Sequence, residues 1–154
     1  MKYSIRQNVF ETNSSSVHTI QYKHIVRQPS KLRIYSKDHK VHVSCGEFGK
    51  ELEIYDTQQE KLSYLVTLLA YSSGAVWDCD AEELYKNYEF QLLEDYIKKY
   101  CGCNGIVVTN LRNADIDHQS QPESGCIDFI NMYDEDKVLD FIFSDEIALK
   151  TDCD

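Results

Sequence analysis

The sequence predicts an α+β fold: a single domain with a mainly antiparallel sheet, two principal helices at about 57–72 and 81–100, and a short C-terminal helix. Three observations carry this. Short alternating segments crowd the first 45 residues, two capped 3.6-residue periodicities follow, and the remainder mixes apolar runs with one acidic amphipathic stretch. A length of 154 residues with 42% hydrophobic and 12% aromatic side chains fits one globular domain with a real core. No repeat, linker or low-complexity tract divides the chain, so residues 1–154 are read as one unit.

In order along the chain, "KYSIRQNVF" alternates around Tyr3, Ile5 and Val9, and "VHTIQY" around Val17 and Ile20. "KLRIY" (31–35) and "KVHVSC" (40–45) alternate likewise, with breaks at Pro29-Ser30 and Lys37-Asp38-His39. Asp56 with Gln59 has capping-box spacing, and Leu62, Leu65, Val66 and Leu69 fall on one helical face that stops at Ser72-Ser73-Gly74. Asp80 with Glu83 repeats the start signal. A stripe of Leu84, Tyr85, Tyr88, Leu92, Leu93, Tyr96, Ile97 and Tyr100 follows, ended by Gly102. "GIVVTNL" (105–111) and "CIDFINMY" (126–133) read as strands, residues 134–143 as the acidic helix, and "EIALKT" as a closing strand.

Charge is segregated. Residues 1–50 hold nine Lys/Arg against three acids, a formal +6, and residues 51–154 hold seven against 23, a formal −16. A basic N-terminal strand region on an acidic helical and C-terminal region tolerates a small anion but opposes non-specific coating of nucleic acid. No apolar run is long enough for a signal peptide or membrane span, so a cytoplasmic location, with six cysteines as free thiols, is the expectation. Cys101-Gly102-Cys103 lacks a second Cys/His pair at zinc spacing, and no phosphate-loop, dinucleotide, zinc-protease or nucleophile-elbow pattern occurs. No cofactor is indicated.

Three polar clusters in expected turns are the candidate chemistry. "ETNSSSVH" gives Asn13, Ser14, Ser15 and Ser16 as hydroxyl, amide and backbone donors for an oxyanion, with His18 as proton carrier. The same residues also suit a turn that satisfies its own backbone. "CGEFGKE" sets Glu47 between glycines as an acid, a base or an exposed carboxylate at a bulged strand end. "IDHQSQPESG" gathers Asp117, His118, Gln119 and Ser120 in one loop, a ligand-binding set or a solvated one.

Together "VFETNSSSVH", "GEFGKE", "KLSY", "IDHQS" and "FIFSDE" resemble, in order and over most of the chain, a group of phage and mobile-element proteins of Gram-positive bacteria. In that group an aromatic often follows the second glycine of "GEFG", where this chain has Lys50. The resemblance implies a setting in a bacterial cytoplasm and no particular reaction. Two functions follow as expectations. One is a polar pocket that binds a nucleotide or other phosphate-bearing small molecule, with or without processing it, Asp117 or Glu47 orienting a histidine or a metal. The other is a non-catalytic anti-defence inhibitor whose acidic part docks a basic host protein.

Overall fold

A computed structural model describes residues 3–5, 16–22, 27–116 and 130–153, with side chains over 27–116 and 130–151. Among these the chain is mixed α/β, and helix outweighs strand. The elements in order are β1 (Tyr3–Ile5), β2 (Ser16–Tyr22), β3 (Val41–Ser44), β4 (Glu47–Phe48), β5 (Glu53–Tyr55), α1 (Gln58–Ser72), α2 (Ala75–Asp78), α3 (Ala81–Lys86), α4 (Tyr88–Cys101), β6 (Ile106–Thr109), a 3-10 turn (Leu111–Asn113), β7 (Asp115–Ile116), α5 (Glu135–Phe143) and β8 (Ile147–Cys153).

The mainly antiparallel sheet is corrected. One four-stranded antiparallel sheet runs β1-β2-β8-β5, but two further two-stranded sheets, β3-β6 and β4-β7, are parallel. β3 and β6 can lie parallel because four helices carry the chain between them, and parallel pairing requires such a crossover. Alternation reports that a strand has a buried face, not which way its neighbour runs. "KLRIY" forms no strand, only the single bridge Ile34↔Val41, because the chain turns back at once through Tyr35 N–H to Lys40 O (2.9 Å) and His39 at φ 55°. Residues 130–133 form a turn rather than a strand end: Asn131 accepts through Oδ1 from Tyr133 N–H (3.0 Å) and through its carbonyl from Asp134 N–H (3.0 Å). Residues 126–129 lie outside the described residues.

α1 begins one residue later than the Asp56 signal implies. Thr57 is its cap, accepting from Glu60 N–H while the Glu60 carboxylate accepts from Thr57 N–H. It is buried nearly all round, not on one face: Leu62, Tyr64, Leu65, Val66, Leu68, Leu69 and Ala70 all enter the core, as does Lys61. The Lys61 ammonium donates to the carbonyls of Ser144 (2.7 Å) and Ile147 (2.9 Å), tying α1 to the α5–β8 corner.

The second long helix is two helices. Asn87 is extended (φ −65°, ψ 127°), ends α3 and caps α4 through Oδ1 to Phe90 N–H (3.0 Å). An asparagine favours this cap over a helix interior, where its side chain competes with the backbone. The apolar stripe continues across the break: Leu84, Phe90, Leu93 and Ile97 are buried. Tyr85, Tyr96 and Tyr100 lie part-buried, with hydroxyls bonded to backbone at Val108, Met132 and Gln28, while Tyr88 is exposed. Replacing Asn87 by Ala should lower stability by ~1 kcal/mol, measured by denaturant melts; an unchanged midpoint would mean the cap carries no load. α4 ends at Gly102 in the left-handed conformation (φ 69°), as its sequence predicts.

Candidate functional site

The described part of the candidate site grows from the motif "GEFG". Phe48 is buried edge-on against Tyr55 and Tyr64, with ring centroids 5.1 Å apart in each pair. Neighbours on a strand face opposite sides, so anchoring Phe48 turns Glu47 to the surface. Gly46 serves this packing, since a Cβ there would stand 3.2 Å from the Phe48 ring, and Gly49 takes the left-handed backbone of the turn (φ 88°). β4 pairs with β7 in the register Glu47↔Asp115.

Lys50 then closes a cluster that sequence reasoning missed. Its ammonium is 2.8 Å from Glu47 Oε2 and 2.8 Å from Asp115 Oδ2, and the Tyr71 hydroxyl donates to Asp115 Oδ1 at 3.0 Å. The hydrogen bonds to Asp115 and then Glu47 hold Lys50 firmly protonated, well above its ordinary pKa. Burial first, and the bond to Asp115 second, push the Tyr71 phenol upward. Two carboxylates around one ammonium leave the group with net negative charge. It therefore suits orientation and proton acceptance, and an anion would have to be held by other donors. Among the described residues no group of three His, Cys, Asp or Glu side chains is arranged to hold a metal ion.

Of the sequence-derived candidates, Glu47 lies in this cluster. Ser16 opens β2 opposite Cys153, and His18 in β2 is paired by backbone with Thr151 of β8. On its other side Thr151 pairs with Glu53, and its hydroxyl donates to the Glu51 carbonyl at 2.9 Å. The backbone of Ser16–His18 thus lies across β8 from β5, the strand that follows the Glu47–Lys50 segment in the chain, while Glu47 itself belongs to the separate β4-β7 sheet. Asn13, Ser14, Ser15, Asp117, His118, Gln119 and Ser120 lie outside the described residues. Asp117 and the rest of its cluster follow directly from Ile116, the end of β7, whose Asp115 is bound to Lys50.

Lys50 stands three residues from Glu47, and that spacing was the available signal for half the cluster. Asp115 and Tyr71 gave none, since both arrive through long-range pairing. A second constellation, also missed, lies at the other end of β3. His42 Nε2 is 2.7 Å from Asp38 Oδ2, the Tyr35 ring stacks on His42 (4.1 Å), and the Arg33 guanidinium sits 4.6 Å over Tyr35. No helix is long and apolar enough to cross a membrane among the described residues. No family model, curated protein or solved structure matches the chain.

Proposed function

We propose that this chain is an accessory protein of phage or mobile-element type whose polar rim around Lys50 binds a nucleotide or another phosphate-bearing small molecule. The supporting observation is the strand register: His18 is backbone-paired with Thr151, whose hydroxyl holds Glu51 beside the Glu47–Lys50–Asp115 cluster. In this reading Asn13, Ser14, Ser15 and Ser16 supply hydroxyl and backbone donors to the anion, with Gln119 and Ser120 as further ligand-binding groups. His18, His118, Asp117 and Glu47 are its proton-transfer groups.

The competing reading, an acidic inhibitor of a basic host protein, draws on the −16 of residues 51–154. Much of the acid around α5 is already engaged within the chain. Asp136 and Asp140 hold Arg27, Glu135 holds Lys99, Asp134 holds Lys137, and Asp145 holds Lys31. A docking face would have to give up those pairs, which weighs against α5 as that face.

The test is a thermal-shift screen against nucleotides, cyclic dinucleotides and sugar phosphates with wild type, His18→Ala and Lys50→Met. A ligand at a hundredfold excess over its Kd should stabilise the wild type by ~2.7 kcal/mol, and both variants should lose the shift. A shift retained in both, or none across the panel, sinks the rim as a ligand site.

A further inference from the structure

The hairpin at residues 33–42 is a separate surface, and its cations stand out by lacking partners. Arg27, Lys31, Lys50, Lys86, Lys98, Lys99 and Lys137 each lie within ion-pair distance of a carboxylate, and Lys61 is buried on carbonyls. Arg33, Lys37 and Lys40, all in this one hairpin, have no carboxylate partner among the described residues. The chain carries 26 acids against 16 Lys/Arg, so pairing is easy. Among the described residues Arg112 of the 3-10 turn also lacks a carboxylate partner, but the hairpin gathers three such cations in one place. Asp38, the hairpin's own acid, is committed to the His42 ring and to Lys40 N–H (3.0 Å), and these bonds hold it below the usual carboxylate range.

The surface is also rigid. His39 donates its backbone N–H to Tyr35 O (2.8 Å), its ring meets Gly102 O (3.0 Å), and its carbonyl accepts from Asn104 N–H (2.7 Å). The turn is thereby pinned to the end of α4, so its charges are set before any partner arrives. Between them Arg33, Tyr35 and His42 form a continuous stack whose tyrosine is 36% exposed.

We propose that this hairpin is a contact surface for single-stranded nucleic acid. Arg33, Lys37 and Lys40 meet phosphates, and an unstacked base extends the Arg33–Tyr35–His42 stack. A single strand is favoured over an acidic peptide because π-faces and cations occur together, and a peptide of acids would use only the cations. It is favoured over duplex because duplex bases are already stacked and its doubled charge density meets the acidic body. At physiological salt, charges beyond ~8 Å are largely screened, so the acidic remainder limits the contact to this hairpin without abolishing it.

The experiment is fluorescence anisotropy of a labelled oligothymidylate titrated with the full chain at several salt concentrations. Three phosphate contacts give a slope of log K against log salt of about −2. The variant Arg33→Gln/Lys37→Gln/Lys40→Gln should weaken binding at least tenfold and flatten the slope. Tyr35→Leu should weaken it with the slope kept, and Lys86→Gln should change nothing. Each variant is first shown to melt as the wild type does. No saturable binding overturns the proposal, as does a triple variant that binds like wild type. Equal competition by polyglutamate overturns it in favour of an acidic protein partner. None of these outcomes touches the Lys50 rim, which is read by thermal shift with small phosphates.

Discussion

Lys61→Ala is expected to lower stability by ~4 kcal/mol, while Lys61→Met costs only ~1–2 kcal/mol. The side chain is fully buried and its ammonium reaches two carbonyls, with no carboxylate within ion-pair distance among the described residues. Burial lowers its pKa from 10.5 to about 8, against the attraction of Asp145 and Asp56 and with the repulsion of Lys31. Carrying the charge into the core therefore costs about 3 kcal/mol at neutral pH. Met fills the volume of the chain and removes that cost, but it leaves two buried carbonyls without their donor, at ~1–3 kcal/mol each. Ala loses the donor as well and opens a cavity, which adds ~2–4 kcal/mol. At ~2–4 °C per kcal/mol, the alanine variant should melt about 10 °C below the wild type.

The pH dependence follows from the same residue. Below pH 8 both native and unfolded chains hold the Lys61 proton. Between 8 and 10.5 the native chain releases it first, so the unfolded state binds more protons and stability rises with pH. Two thiols act with the opposite sign. Burial pushes Cys45 up to about 11 and raises Cys101, so the native state keeps protons that the unfolded state loses above 9. The informative quantity is accordingly wild type minus Lys61→Met, in which the thiols cancel. That difference should climb by about 2 kcal/mol from pH 7.5 to 10. A flat difference in urea melts would show that Lys61 is not desolvated.

What the sequence revealed and what it concealed divide along one physical line. Helix ends at Asp80 and Gly102 and the apolar stripe behind them are local signals, and each appears where its residues place it. Asn87 was also a local signal, but the stripe ran through it and masked the break. The partners of β3 and β4 lie far along the chain. Their parallel pairing, and with it the meeting of Lys50 with Asp115, depends on tertiary packing that alternation does not encode. Lys61 sits at a helix position where a lysine reads as solvent-facing, and only the carbonyls of a corner more than 80 residues away explain it. Glu47 was legible because two glycines mark a turn, although Gly46 serves the packing of Phe48 first.

Phe143→Ala should cost ~3–5 kcal/mol and should loosen the segment around residues 27–30 before the rest of the domain. Phe143 is fully buried at the end of α5, and its ring stacks on Tyr100 with centroids 4.2 Å apart. Its carbonyl accepts from Gln28 N–H (2.8 Å), and the Tyr100 hydroxyl donates to Gln28 O (2.9 Å). One backbone residue is thus held on both sides by the two members of the stack. Arg27 beside it bridges to Asp136 and Asp140 on the same helix, but that pair is half-exposed and contributes less. Tyr100→Phe keeps the ring and removes one hydrogen bond, for a loss of ~1 kcal/mol. Hydrogen exchange gives the decisive comparison. If the stack holds the segment, Phe143→Ala should lose protection at Gln28 by more than its loss of global stability, and Tyr100→Phe should not. Uniform loss across the core in the alanine variant would mean that Phe143 supports the domain as a whole and that residues 27–30 have no separate anchor.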